Sequence, residues 1–283
     1  MPRADMPAII PVSGMTSEFG MEWDSSLMPV GVNYTAIEAT VFECLHAGCT
    51  SIWIVANDDV APLLRYRLGD CATDIESIVR GRFATYGSKN HIEVPIYYVP
   101  IHPRHRGKVD NYAWSALWGC NVAYWVKTMF SRWSQPDRYY ISFPMGMMDP
   151  KEIYEYKSPL KRGESYYFSH EGKTIKDGYP ISFVMTADEW RRAKHIITQN
   201  SSTWQSPDEG EIPYEKLPIE ERLVSRKYNL QDVFGDAVGG TIQEVKSFHD
   251  LTTWAGYVKF ISSELGSRTK RPNTNTMFRG KNK

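Results

Sequence analysis

Two carboxylates and one cluster of cations are the side chains in this sequence best placed to do chemistry. Asp149 and Asp250 each follow a run that reads as a strand, which predicts loops at one edge of a sheet. Two carboxylates meeting there suit a hard divalent cation, Mg2+ or Mn2+. Each also reads as a helix N-cap, Asp149 ahead of Pro150 and Asp250 ahead of the last helical run, and the two roles are compatible. His249 beside Asp250 is a candidate general base, set against a structural histidine at a strand end. Arg104, Arg106 and Lys108 lie just before Asn111 and a long helix. Cations next to a helix N-terminus suit phosphate, and a solvated loop is the alternative. Val12, Ser13, Gly14, Met15 and Thr16 close the first strand, and Asn57 closes the second. Open α/β sheets take ligands at such strand ends, a plain turn being the other reading. Ser13 and Ser17 lack a Gly-x-Ser-x-Gly context, so a serine nucleophile has no support.

These residues need elements to hold them. Ala8–Val12 and Ser51–Ala56 are apolar throughout, as strands covered on both faces are. Between them, Thr35 with Glu38 three residues on has capping-box spacing, predicting a helix from Thr35 to Ala47 that Gly48 ends. Val60–Leu68 reads as a second helix and Glu93–Pro100 as a third strand. Tyr112–Phe130 is apolar nearly all round and predicts a buried helix, followed by a strand over Arg138–Phe143. Beyond Pro150, Tyr166–Ser169, Ile181–Val184 and Ile242–Phe248 read as strands. Thr186–Ile197, part of Leu217–Phe234 and Leu251–Leu265 read as helices, and Asn200–Leu217 as a loop. Strand, helix and strand in alternation give an α/β class, a mixed and mainly parallel sheet with helices on both faces.

The order Ile10-Pro11-Val12-Ser13-Gly14, then Leu27-Met28-Pro29-Val30-Gly31, the helix, Ala47-Gly48-Cys49 and Ile52-Trp53-Ile54-Val55 resembles the N-terminal half of the sugar-nucleotide pyrophosphorylases. Those are nucleotidyltransferases of the GT-A-like, nucleotide-diphospho-sugar transferase fold. His249-Asp250-Leu251-Thr252-Thr253-Trp254 is similar to the family's Trp-x-Asp-x-Gly-Thr close, and Asp177-Gly178-Tyr179-Pro180 sits where its acceptor strand begins. The Ile-Pro-Val-Ser-Gly and Pro-Asp-Arg-Tyr-Tyr stretches also resemble uncharacterised bacteriophage proteins. The resemblance implies a nucleotide- or nucleotide-sugar-dependent transferase with one Mg2+ or Mn2+. The departures are specific. The family's Gly-x-Gly-x-Arg loop reads Gly14-Met15-Thr16-Ser17-Glu18, so Glu18 stands for the Arg. Ser25 stands for the family's Lys, and Phe143-Pro144 for its Gly-Asp, leaving Asp250 as the retained metal carboxylate. A carboxylate in place of Arg repels a triphosphate, and each lost charge costs a rate factor on the order of 10²–10³. The other implied class is a non-catalytic protein on a degenerate copy of this fold, used in assembly or host interaction.

Composition bounds the rest. In 283 residues Lys+Arg and Asp+Glu are both 33, which excludes a globally basic nucleic-acid binder. The charge is local: six of the cations fall in residues 267–283, predicted to be a disordered basic tail behind one domain of residues 1–266. That tail and the Arg104–Lys108 loop leave room for a local nucleic-acid contact. Neither a secretory h-region nor an apolar run of membrane-spanning length is visible, so a cytoplasmic protein is the expectation. Cys44, Cys49, Cys71 and Cys120 have no zinc spacing and predict buried thiols.

Overall fold

The computed structural model describes residues 5–14, 17–21, 23–75, 93–101, 111–130, 135–202, 229–237 and 239–272. Its elements, in chain order, begin with β1 (Pro7–Pro11), β2 (Pro29–Gly31), β3 (Tyr34–Thr35), α1 (Ala36–Ala47), β4 (Ser51–Ala56), α2 (Ala61–Leu68), β5 (Cys71–Thr73) and β6 (Glu93–Pro100). Next come α3 (Tyr112–Phe130), β7 (Arg138–Ile141), β8 (Gly146–Met148), α4 (Pro150–Glu155), α5 (Lys157–Leu160), β9 (Tyr166–Ser169), β10 (Phe183–Thr186) and α6 (Ala187–Ser202). The chain closes with α7 (Leu230–Phe234), β11 (Thr241–Glu244), β12 (Phe248–Asp250), α8 (Trp254–Ile261) and α9 (Glu264–Arg268).

Eight strands make one mixed sheet in the order β11-β9-β10-β7-β1-β4-β6-β5. Its centre is parallel, β7 with β1, β1 with β4 and β4 with β6. Antiparallel β10 pairs with both β7 and β9, and β5 runs antiparallel at the far edge. The expected α/β class, with helices on both faces, is the architecture found.

Side-chain alternation sorts β1 and β4 between two cores. Ala8, Ile10, Ile52 and Ile54 pack with Ile37, Val41, Cys44 and Leu45 of α1 on one face. Ile9, Trp53 and Val55 meet Ala113, Ala116, Cys120 and Ala123 of α3 on the other. Gly119 permits that approach, because a Cβ there would lie 2.5 Å from Ile9 Cγ2. With α1 and α3 on opposite faces, β1 and β7 flank the point where the winding reverses, and the ligand crevice of such a sheet lies outside their C-terminal ends.

Several boundaries differ from expectation. The helix over Tyr112–Phe130 is present, but it is buried only in its first half: Trp125, Met129 and Phe130 at its end are exposed. A stripe of aromatic residues on a helix reads the same whether it faces core or water. The predicted strand over Ile242–Phe248 is two strands. β11 extends the main sheet parallel to β9, and β12 pairs antiparallel with β8 in a separate ribbon. The predicted last helix is also split, because the Ser263 side chain accepts from Gly266 N and caps α9 anew.

Residues 267–268 complete α9, and Arg271 Nη2 lies 2.8 Å from a carboxylate oxygen of buried Glu38. The rest of the predicted tail, from residue 273, lies outside the described residues, as do 203–228 of the predicted loop and helix. Cys44, Cys49 and Cys120 are buried, Cys71 is half-buried, and all four are thiols.

Candidate functional site

At the end of β1, the amides of Val12 and Ser13 both donate to Val55 O, at 2.9 and 3.1 Å. This keeps the turn flush with β4. Ser115 Oγ, one turn into α3, donates to Ser13 O at 2.9 Å. Gly14 has φ of +84°, and a Cβ there would fall 2.3 Å from Asn111 Cα. Only glycine lets the β1 turn touch the start of α3 this closely. Asn111 caps that helix, its Oδ1 accepting from Trp114 N at 2.8 Å. Three positions named from sequence, Ser13, Gly14 and Asn111, are thus brought together.

The same edge carries buried polar atoms without partners among the described residues: Asn57 Oδ1, Asn111 Nδ2 and the Tyr112 hydroxyl. Leaving such a group unpaired costs about 1–3 kcal/mol each, so three at one strand edge is a cost with a direction to it. Tyr112 packs its ring 5.3 Å from Phe143, the residue at the family's Gly-Asp position. Burial pushes its hydroxyl far above the usual tyrosine range, and the carboxylates of Asp24 and Asp250 push it further. Asp24 caps the short 3-10 turn over Ser25–Leu27, accepting from Ser26 N at 2.9 Å. Burial raises its carboxyl despite that bond, and Asp59 adds to the rise.

Asp24 and Tyr112 are functional candidates that sequence reasoning passed over. Tyr112 opens an apolar helix and looks like core. Asp24 sits in a loop whose course is set by contacts with residues more than two hundred positions later. Its proximity to the Leu27-Met28-Pro29 frame was the one available signal.

Asp250 ends β12. Its Oδ1 accepts from Thr252 N at 2.9 Å and Thr252 Oγ1 at 2.7 Å, an Asx turn. The cap of α8 is Thr253 rather than Asp250, with Gly256 N donating to Thr253 Oγ1 at 3.1 Å.

Asp149 does not join Asp250. In the ribbon Phe248 faces Met148, His249 faces Met147 and Asp250 faces Gly146. Asp149 lies one residue past the end of this ribbon, where the chain turns into α4. The structure shows Asp149 in its capping role, accepting from Lys151 N at 2.9 Å, with Arg268 Nη2 at 4.0 Å from its other oxygen. The two carboxylates expected to share a cation are engaged separately, Asp149 in the cap of α4 and Asp250 in the turn with Thr252.

Strand parity separates His249 from Asp250. His249 shares with Asp149 the lining of a cavity of about 390 Å³ that Asp250 does not reach. Burial lowers the His249 pKa, and Lys259 and His170 lower it further. Its Nδ1 is buried without a partner among the described residues. A base acting next to Asp250 is not what this arrangement builds. Met15, Thr16, Arg104, Arg106 and Lys108 lie outside the described residues. Among the described residues no three His, Cys, Asp or Glu side chains converge to hold a metal, and no helix is long and apolar enough to cross a membrane.

Neither a protein-family model nor a curated protein matches the sequence. Solved structures do match the fold. A chain assigned as a glucose-1-phosphate thymidylyltransferase from Bacillus anthracis, solved with sucrose, superposes with a TM-score of 0.55 at 12% identity, over 95% of this chain and 98% of that one. A UDP-glucose pyrophosphorylase solved with UDP-glucose gives 0.54 at 12% identity, over 93% and 100%. The UDP-glucose pyrophosphorylase of Acinetobacter baumanii gives 0.52 at 14%, over 93% and 96%. Over 93–95% of its length, and despite the altered loop sequence, this chain has the fold of these sugar-nucleotide nucleotidyltransferases.

Proposed function

We propose that the chain is a nucleotide-sugar-dependent transferase, moving a nucleotidyl or glycosyl group, with its site at the C-terminal edge of β1, β4 and β7. The observation that supports this reading is that polar atoms of Asn57, Asn111 and Tyr112 without partners among the described residues lie together at the switch point of a nucleotidyltransferase-like sheet. Each such buried group calls for an explanation, and at a switch point a ligand is the one the fold offers.

The roles in this reading are as follows. The turn at Ser13–Gly14 offers backbone at close range, with Met15 and Thr16 continuing it in sequence. The amides of Asn57 and Asn111 and the Tyr112 hydroxyl bond the ligand's polar groups. The positive end of α3 favours phosphate, and Arg104, Arg106 and Lys108, just upstream in sequence, supply cations. Asp250, whose other oxygen the Thr252 bonds leave open, would hold Mg2+ or Mn2+ as its one carboxylate, and the ion would supply charge neutralisation at a diphosphate. Asp149 has no part in it.

Titration calorimetry with UDP-glucose and dTDP-glucose, each with and without Mn2+, tests the reading. Saturable binding of one of them is expected, strengthened by Mn2+ in the wild type and not in Asp250→Ala. Absence of binding to both, with and without metal, overturns it.

A further inference from the structure

Glu18 occupies the position at which the resembling family carries its loop Arg. Electrostatics alone predicts that a carboxylate there faces the ligand and repels it. The structure shows it engaged elsewhere. Glu18 N donates to Thr252 O at 2.9 Å, and Trp254 N, the first amide of α8, donates to Glu18 Oε2 at 3.1 Å. The Thr253 hydroxyl takes the amide of Gly256 two residues on. Two side chains from distant parts of the sequence therefore share the free amides at one helix start, and an anion suits that end of the helix dipole. An arginine would place a positive charge on it instead.

The contact is reinforced on both sides. Phe19 packs its ring 4.6 Å from Trp254, edge to face. Tyr257 OH donates to Pro29 O at 2.8 Å. Ser17 Oγ lies 2.7 Å from Ser25 Oγ, closing the loop between β1 and β2 upon itself next to Asp24. Thr252, which receives the Glu18 amide, is the residue whose amide and hydroxyl both bond Asp250 Oδ1.

We infer that Glu18 is a positioning residue: it latches the loop after β1 to the start of α8 and so fixes the Thr252 turn that orients Asp250. The consequence for the transferase reading, on which this inference rests, is that the family's phosphate-binding position here serves to hold the metal carboxylate in place.

Glu18→Ala, Glu18→Gln and Glu18→Arg, each in the full chain, test it through two measurements. The first is hydrogen exchange at the Trp254 amide, which needs no ligand. Exchange roughly tenfold faster is expected in the Ala and Arg variants, with protection kept in the Gln variant, whose amide oxygen can still accept. The second is calorimetric binding of UDP-glucose with Mn2+. A loss of about fivefold, the value of one helix cap, is expected for Ala and Arg, and none for Gln. Wild-type protection at Trp254 in the Ala and Arg variants overturns the latch. So does tighter UDP-glucose binding by Glu18→Arg, which would put position 18 at the phosphates. If the wild type binds no UDP-glucose, the transferase reading loses that support, while exchange at Trp254 still decides the latch.

Discussion

Glu43 and Tyr112 are both buried polar side chains, one on each face of the same parallel strands. The Glu43 carboxyl in α1 takes hydrogen bonds from Tyr140 OH at 2.6 Å, Ser182 Oγ at 2.7 Å and Ser142 Oγ at 3.0 Å. Three hydroxyls, from β7 and the residues just after β7 and just before β10, close round one oxygen, with Ser142 Oγ and Ser182 Oγ 3.0 Å apart. Tyr112, on the α3 face, has a hydroxyl as deeply buried that meets no partner among the described residues. One region is satisfied within the protein; the other, a strand end away, meets no partner among the described residues. Under the proposed reading a ligand supplies that partner.

The largest test of that contrast is at Glu43. Glu43→Ala strands three buried hydroxyls and should cost about 3 kcal/mol in urea unfolding, whereas Glu43→Gln, which keeps an accepting oxygen, should cost about 1 kcal/mol or less. Equal costs would mean that volume rather than hydrogen bonding matters at this position. Next in size is Tyr112→Phe. Removing an unpaired buried hydroxyl should leave stability unchanged or raise it by about 0.5–1 kcal/mol, while weakening UDP-glucose binding roughly fivefold. A clear loss of stability would show that the hydroxyl is already satisfied and would break the comparison.

The smallest effect is in pH, and its sign differs between regions. Burial raises the Glu43 carboxyl above its usual 4.5, only partly offset by its three donors. The folded state keeps that proton after the unfolded chain has lost it, so the contribution to stability is full below about pH 4.5 and falls as pH rises through the folded value. Burial lowers His249 and His46 below 6.5. There the unfolded chain takes the proton first, so stability is full above about pH 6.5 and declines on acidification. Urea unfolding from pH 4 to 8 should show Glu43→Gln flattening the first trend and His249→Gln the second.

Much of the scaffold was legible because local signals and tertiary packing agree there. The Thr35–Glu38 capping box marks the start of α1, with Thr35 N and Oγ1 each 2.9 Å from Glu38 Oε2. The apolar runs of β1 and β4 could only be covered strands. For the candidate site, the placement of Ser13, Gly14, Asn57 and Asn111 at the strand ends follows from the switch-point rule, whereas the sidedness of His249 and Asp250 depends on the register of a three-residue ribbon. A strand that short has too little alternation to announce its faces, and a slip of one residue reverses them. The contacts of Glu18 were illegible for a related reason. Its charge was visible, but its partners lie 234 and 236 positions further along the chain.

Arg271 gives the chain's end a weight that its composition hides. Glu38, at the start of α1, is fully buried and holds Arg67 Nη2 at 3.0 Å on one oxygen and Arg271 Nη2 at 2.8 Å on the other. A protease or a stop codon acting beyond Pro272 spares this clamp. One acting between α9 and Arg271 takes away half the charge balance of a carboxylate that water does not reach, more than two hundred residues upstream. Trimming that removes Arg271, three residues beyond α9, therefore reaches into the core at the start of α1.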